Sequence, residues 1–536
     1  MIALWLTLAC NHAEEPALVP LDAPRLLRRM SLDLRGTLPS VQELDAVEED
    51  PEQLLVLRDQ YLHDPLLEER LVRLFTERWH TRIESYYIFH TEFEQWADDP
   101  SKEHPFEASV GEEPMRLLAH VVAQDRPWSE VVTADYSFAN ETLAEIWPVA
   151  WEEGQTGWQK TTYTDQRPMA GVLSSNGLWW RYQTTLNSYS RTRSNALTRL
   201  LVCDDYSARV VDFDNLPPLS DEEALEQAVK TVPTCITCHA TLDPLGATLF
   251  GFWISVQDSA FELGTYHPER EVLGRGFLEV EPAWYGQPVS GLEELGHTIA
   301  ADPRFGKCAV QSMTELTLRR SVDPELDAAR LEELQQVYRD EKGHMLAVLA
   351  AITETPEYQV GAFGEAATEH MRSRESVRRQ LSPGQLETAV SELTGFLWTD
   401  TGFNQMDNDT WGYRTLAGGI DGQFTTTSLQ SPSMTTTLVA QRLAEGAAGY
   451  LVLHGTPFEA GGLLEGTTLS ERPGDAGFDA ALARLMWQTR AVRPSDQDVA
   501  ELGQLWLDLE HISGDPQIAW QGTLSALLRD PEFLSY

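Results

Sequence analysis

The most informative segment of this sequence reads Thr234-Cys235-Ile236-Thr237-Cys238-His239. The CxxCH pattern is the attachment signature of c-type haem: two thiols add to the haem vinyl groups, and the adjacent histidine becomes an axial iron ligand. Zinc would need two more ligands, and the chain has no second CxxC or HxxxH to supply them. A disulfide or redox dithiol is the third alternative. The segment predicts one covalent haem c, attached to Cys235 and Cys238, with His239 on the iron.

The N-terminus indicates the compartment. Residues 1–15 read MIALWLTLACNHAEE and are apolar up to Cys10, which is typical of an export segment. Cys10 follows Ala9 as in lipoproteins, although no basic residue precedes the apolar stretch and Leu8 stands one place from the usual position. An ordinary apolar strand or helix is the alternative. Covalent haem attachment takes place outside the cytoplasm, so we expect a periplasmic or cell-surface protein, lipid-anchored to the outer membrane if Cys10 is modified.

Two cysteines remain once Cys10 is assigned to a lipid and two others to haem. These are Cys203 and Cys308, one on either side of the haem segment. An even number of unassigned cysteines in an exported protein predicts a disulfide between them. Two separate buried free thiols are the alternative.

The composition excludes several functional classes. The chain has 536 residues, with 40 Lys and Arg against 83 Asp and Glu, and a formal net charge of −43. This acid excess argues against binding to nucleic acid or to anionic lipid, because both need a basic surface. No stretch of eighteen uncharged apolar residues follows the N-terminus, so no internal membrane span is expected.

The flanking sequence repeats one helical plan. RLEELQQVY at 330–338 and DVAELGQLWLDL at 498–509 place Leu and Val at steps of three and four residues, which is typical of amphipathic helices. In each copy a Pro-Ser or Pro-Glu pair is expected to begin a helix, since proline fits the first turn and serine can cap it. We therefore predict a mainly α, multidomain protein. The predicted units are an export segment at 1–15, an N-terminal helical module at 16–160, a haem-c-like module at 161–360 and a C-terminal helical module at 376–536.

The residues around the CxxCH motif carry a family resemblance. They run CITCHATLDPLG at 235–246, preceded by Ala170-Gly171-Val172-Leu173-Ser174 and followed by Phe305-Gly306-Lys307-Cys308. This order resembles the cytochrome-c-like exported proteins of unknown function that are abundant in planctomycetes and related bacteria. It covers about residues 165–360, and it departs from the usual pattern at Ala247–Phe252, where those proteins are more acidic. The resemblance implies a CxxCH module between helical modules and names no reaction.

The sixth iron ligand would decide between electron transfer and ligand chemistry, because a methionine thioether closes the site and raises the potential. No methionine lies between His239 and Cys308. We rank Met313 first, His267 second and Met169 third, ahead of an open site.

Three functions remain open. The first is an electron carrier that serves an unidentified redox partner protein. The second is a haem-assisted or polysaccharide-related enzyme, and the third is a surface-binding protein in which the CxxCH segment is structural. Other catalytic signatures, namely GxxxxGK[ST], GxGxxG after a strand, GxSxG and HExxH, are absent from the sequence.

Overall fold

The helices begin at residues that the sequence marks for them. The computed structural model describes residues 17–185, 188–210, 217–218, 220–253, 258–400 and 402–536. Ser40 and Ser495 each accept a hydrogen bond from the backbone N–H three residues on, and their own N–H groups donate to Glu43 and Asp498. These capping boxes satisfy N–H groups that the first turn of a helix leaves unpaired. The serine caps are as predicted, but Pro39 and Pro494 precede the caps and lie outside the first turn, where the prediction had placed proline.

Helices account for most of the described chain. In the N-terminal part they are α1 (Ala23–Leu34), α2 (Val41–Glu49), α3 (Gln53–Tyr61), α4 (Pro65–Trp79), α5 (Glu103–Ala123), α6 (Glu130–Thr133) and α7 (Glu141–Ala144). In the central part they are α8 (Asn176–Arg181), α9 (Arg191–Val202), α10 (Glu222–Thr231), α11 (Pro233–Ala247), α12 (Ala260–Leu263), α13 (Leu273–Leu278), α14 (Leu292–Ala301), α15 (Pro303–Leu318), α16 (Ala328–Asp340), α17 (Met345–Thr353), α18 (Pro356–Gln359) and α19 (Glu369–Arg374). In the C-terminal part they are α20 (Pro383–Thr394), α21 (Met434–His454), α22 (Ala476–Arg490), α23 (Asp496–Ser513), α24 (Pro516–Leu527) and α25 (Pro531–Leu534). The predicted mainly α fold is confirmed.

Strands and 3-10 turns fill short intervals between these helices. The strands form four antiparallel pairs: β1 (Leu18–Pro20) with β6 (Val360–Phe363), β2 (Ser137–Ala139) with β3 (Gln159–Thr161), β4 (Ala283–Trp284) with β5 (Gln287–Pro288), and β7 (Thr399–Asp400) with β8 (Phe403–Asn404). The 3-10 turns are η1 (His90–Glu92), η2 (Glu94–Trp96), η3 (Pro100–Lys102), η4 (Gly171–Ser174), η5 (Tyr206–Ala208), η6 (Phe250–Phe252) and η7 (Pro268–Arg270).

The repeated helical plan is visible in two places. Helices α15 to α18 and helices α22 to α25 each run as one long helix, a turn, two helices and a short final helix. In both segments, the residue that ends the long helix has a left-handed backbone conformation, with φ of 55° at Arg319 and 52° at Ala491. The two segments therefore share their turn geometry as well as their hydrophobic pattern.

The largest hydrophobic core joins the predicted N-terminal and haem-like modules. It contains Leu27 of α1, Leu118 of α5, Leu245 of α11 and Val310 of α15, each 1% exposed or less. A second core joins Leu32 of α1 to helices α20 and α21. The modules thus pack on one another, while their boundaries as folding units stay a prediction.

Buried charges join the first helix to the end of the chain. Arg28 donates to the carbonyl oxygens of Phe533 and Ser535 at 2.8 and 2.7 Å. Asp33 accepts from Arg379 Nη1 at 2.8 Å and from the Tyr536 hydroxyl at 2.5 Å. The C-terminal module is therefore held against α1 by one ion pair and several hydrogen bonds, in addition to its apolar contacts.

No helix among the described residues is both long and apolar enough to cross a membrane. The predicted export segment at 1–15 and the lipidation site Cys10 lie outside the described residues.

Candidate haem attachment site

The CxxCH motif lies on the first half of α11. Pro233 occupies the first turn of this helix. Cys235 and Cys238 are one turn apart, and both are free thiols of intermediate burial. His239 follows directly, with its side chain 24% exposed. One helical turn thus presents two thiols and an imidazole near the protein surface, where a bulky group could reach them.

A buried carboxylate orients His239. The imidazole Nδ1 lies 3.0 and 3.2 Å from the two carboxylate oxygens of Asp243, one turn further along α11. Arg191, the first residue of α9, donates to the same carboxylate from Nε at 2.6 Å and from Nη2 at 3.1 Å. Within the described chain, His239 Nε2 has no hydrogen-bond partner. Because Nδ1 is engaged, Nε2 is the nitrogen left for a metal, as in histidine ligands that a carboxylate orients.

The charge of Asp243 is maintained despite its burial. Burial by itself would raise its pKa, but the hydrogen bonds from His239 and Arg191 outweigh that effect and lower the pKa below the ordinary value. The carboxylate is therefore ionised at neutral pH, and its negative charge lies against the imidazole. Such a partner fixes the orientation of a ligand imidazole.

The DPLG segment holds this arrangement in place. Leu245 is fully buried in the largest core. A Cβ on Gly246 would lie 2.9 Å from the carbonyl oxygen of Tyr189, so only glycine allows α11 to approach the start of α9 this closely. Ser194 Oγ donates to the carbonyl oxygen of Leu242 at 2.8 Å. These contacts fix Asp243 against Arg191, and Asp243 in turn fixes His239.

A cluster of four aromatic side chains lies beside the Asp243–Arg191 pair. The ring of Tyr189 stacks on Phe277 of α13 at 5.7 Å between centroids, and Phe277 also packs on Phe250 and Trp253 at 6.1 and 5.3 Å. Phe277 is 46% exposed. The surface beside α11 is thus partly apolar, which suits a porphyrin edge. Together with the two thiols and the free Nε2, the residues present fit a c-type haem.

The predicted disulfide is confirmed. Cys203 is bonded to Cys308, with a Cα–Cα distance of 5.4 Å. Cys203 ends α9 in a left-handed conformation with φ of 56°, and Cys308 lies in α15. The bridge therefore ties α9, whose first residue holds Asp243, to the long helix of the following repeat.

The three sixth-ligand candidates lie in different environments. Met313, on α15, is 1% exposed and belongs to the largest core. His267 has both ring nitrogens engaged: Nδ1 lies 3.1 Å from Glu269 Oε1, and Nε2 lies 3.0 Å from the carbonyl oxygen of Glu262. Met169 packs at the edge of an aromatic core. His267 would have to release one contact to bind a metal, whereas neither methionine has such a contact to lose.

The zinc alternative requires two ligands beyond the CxxC thiols. Across the described ranges, no group of three or more His, Cys, Asp or Glu side chains is arranged to hold a metal ion.

Asp243 and Arg191 are the site residues that sequence reasoning missed. Asp243 belongs to the resemblance motif, but nothing in that motif assigned it a role. Its spacing of four residues from His239 was the available signal, because residues i and i+4 of a helix face each other. Arg191 is 52 residues from its partner, and no local pattern connects the two.

Comparison with known proteins identifies one family resemblance. Residues 21–149 match the model of the family described as PSD4: Protein of unknown function (DUF1592). The matched range extends from α1 through α7 and ends before the CxxCH motif. No curated protein and no solved structure matches the chain.

Proposed function

We propose that this protein is an exported c-type cytochrome that carries one covalent haem and transfers electrons to a partner protein. The thiols of Cys235 and Cys238 would hold the haem, and Nε2 of His239 would bind its iron. The observation that supports this most strongly is the His239–Asp243 contact, which leaves the ligand nitrogen free beside two unpaired thiols. A bound haem would supply a reversible one-electron centre. The protein would hold it, orient the imidazole and set the potential.

An extracytoplasmic location is part of the proposal. The Cys203–Cys308 disulfide is compatible with an oxidising compartment. The apolar segment up to Cys10 is typical of an export segment, and covalent haem attachment takes place outside the cytoplasm. Both support the same location. We propose the periplasm or the cell surface, with lipidation of Cys10 as the anchor. The resemblance of residues 165–360 to planctomycete-type cytochrome-c-like proteins supports the same assignment.

For the sixth iron position we propose Met313, with His267 as the alternative. The Met313 thioether has no polar partner among the described residues to give up, whereas His267 would lose a hydrogen bond. Thioether ligation would favour the ferrous state and support electron transfer.

One observation favours a second function, haem-assisted catalysis. A carboxylate partner makes His239 a stronger electron donor than a backbone carbonyl would, and strong donation to iron favours O–O bond cleavage. Rapid cyanide binding to the ferric protein would favour this function over closed-site electron transfer.

The assignment is tested by maturing the full-length protein in a periplasm that has a cytochrome maturation system. We expect haem that survives acid–acetone extraction and stains with the denatured chain, because thioether bonds are covalent. A protein that matures with its disulfide formed but retains no haem would contradict the assignment.

Replacing Asp243 by Asn should raise the midpoint potential of the matured protein. The asparagine retains the size and an acceptor oxygen but removes the negative charge that stabilises ferric iron. We expect a rise of about 60 mV or more, which is a tenfold change in the one-electron equilibrium. Potentiometric titration measures it.

The matched control is Glu279→Gln, which removes a carboxylate from the exposed Lys230–Glu279 ion pair of the same module. It should leave the potential within a few millivolts of wild type, since solvent screens an exposed charge. Equal potentials in the Asp243→Asn and Glu279→Gln proteins would refute the role of Asp243.

A further inference from the structure

A small cavity with several arginines in its lining lies between α4, the start of α20 and the segment from 406 to 420. Its volume is about 70 Å³, and Arg70, Arg73 and Arg82 line it. This space is large enough for several water molecules or for one oxyanion group. None of the residues that line the cavity belongs to α11, so its chemistry is independent of haem binding.

The N-terminus of α20 opens into this cavity. Ser382 caps the helix, and its side chain and backbone are satisfied by Gln385. Pro383 has no N–H group, and the Gly384 N–H has no hydrogen-bond acceptor in the described chain. An uncovered N–H at the positive end of a twelve-residue helix is a favourable position for an anion.

Arg73 lies against the same helix end. A Cβ added at Gly384 would collide with Arg73 Nη1, so the guanidinium is in direct contact with this glycine. Among the described residues no carboxylate lies within 4 Å of Arg73 to form an ion pair. A cation beside the positive end of a helix is unfavourable by itself. Arg73 lies near enough to the carboxyl groups of Glu387 and Asp407 to favour their charged forms, but it pairs with neither within 4 Å.

Arg70 supplies an independent indication of a ligand. It is 5% exposed, and its Nε donates to the carbonyl oxygen of Asp33 at 3.3 Å. Its terminal nitrogens have no partner in the part of the chain that the structure describes, and it forms no ion pair there. Burial lowers the pKa of Arg70, so nearby charges do not offset its desolvation. A buried guanidinium that has no ion-pair partner is costly unless an anion accompanies it.

Two further arginines, Arg82 and Arg414, and two carboxylates, Glu77 and Asp407, also line the cavity. Arg82 is paired with Asp407 at 2.5 Å, and Arg414 with Asp409 at 2.6 Å. Glu77 lines the cavity, and it forms no ion pair within 4 Å in the described chain. A chain of net charge −43 thus keeps two arginines unpaired at one point.

We propose that this cavity binds an oxyanion group, phosphate or carboxylate, between Arg70, Arg73 and the N-terminus of α20. Guanidinium groups and helix N–H groups both donate to such oxygens, and charge-assisted hydrogen bonds are the strong ones. Arg73 and the Gly384 N–H form the open side of the site, and Arg70 forms its buried side.

Calorimetric titration of the full-length protein with inorganic phosphate, and separately with acetate, tests this proposal. We expect saturable binding of one anion per chain by at least one probe, and the tighter probe identifies the oxyanion class. Arg73→Gln should weaken that binding by roughly tenfold or more, since it removes a charge-assisted contact. Gly384→Ala keeps both arginines but displaces the Arg73 guanidinium, so it should weaken binding as well.

Arg442→Gln is the matched control, because this arginine is 75% exposed on α21 and should leave the affinity unchanged. Arg73 is an exposed residue, so its substitution should not prevent folding, and circular dichroism verifies this. Absence of saturable binding of either anion to wild type would overturn the proposal. Equal affinities in wild type, Arg73→Gln and Gly384→Ala would overturn it as well.

Discussion

The double variant Cys235→Ala/Cys238→Ala should contain no covalent haem after maturation in the periplasm, whereas wild type should contain about one haem per chain. Each thiol is the only group at its position that can add to a vinyl, so the loss should be complete. A single substitution should leave one thioether and shift the visible absorption bands. Haem staining of denatured protein and the pyridine haemochrome spectrum measure both effects.

The double variant should still fold, which makes its result interpretable. The cysteines lie in the first half of α11 with intermediate exposure, while the core contacts of this helix are made by Leu245 and Gly246 in its second half. Thr237→Ala is the matched control, because Thr237 lies between the two cysteines and only donates to the carbonyl oxygen of Pro233. It should retain a full complement of haem. Haem that remains covalently attached to the double variant would contradict the assignment of both thiols.

The helices could be predicted because their signals lie in neighbouring residues. The disulfide could be predicted from the number of cysteines that remained unassigned. Ser40 and Ser495 cap helices through groups three residues away, so a short window contains the whole interaction. Cys203 and Cys308 were the two cysteines left after the others had been assigned, and the structure bonds them. Neither prediction required knowledge of how distant helices pack.

The environment of His239 was harder to predict, because α11 continues through a proline. Pro244 lies inside the helix, where proline usually ends or kinks one. A turn at Asp243-Pro244 would separate Asp243 from His239, whereas the continuous helix places them face to face at 3.0 Å. Leu245 and Gly246 compensate by packing into the core and against Tyr189. Tertiary contacts thus override the local preference at the position that matters for the site.

The oxyanion cavity had no signal in the sequence. Arg70 and Arg73 on α4 and Gly384 on α20 are about three hundred residues apart, and single arginines at helix positions are ordinary surface residues. Only packing of the predicted C-terminal module on the N-terminal one creates the unpaired charge. Glu113 of α5 also lacks a signal in the sequence, because no local pattern distinguishes it from the other acidic residues of its helix.

Glu113 of α5 is fully buried and lies within the residues that match the family model. Its carboxylate connects α5 to three other segments of the chain. Its carboxylate accepts from Ser137 Oγ of β2 at 3.0 Å, from the Tyr163 hydroxyl at 2.7 Å and from the Gly177 N–H of α8 at 2.8 Å. Burial raises its pKa to about 7 from an ordinary 4.5, although these hydrogen bonds act in the opposite direction. The folded state therefore binds a proton at Glu113 more tightly than the unfolded state does.

This pKa makes the stability of the protein depend on pH in a defined direction. The contribution of Glu113 should be complete below pH 4.5 and should be lost as pH rises towards 7, by about 3 kcal/mol in the free energy of unfolding. Glu113→Gln cannot ionise, so relative to wild type it should gain about that amount between pH 4.5 and pH 8. Urea denaturation of both proteins at pH 4.5, 6 and 8 measures the difference, with the exposed Glu153→Gln as control. A difference between Glu113→Gln and wild type that stays constant across this range would contradict the raised pKa of Glu113 in the folded state.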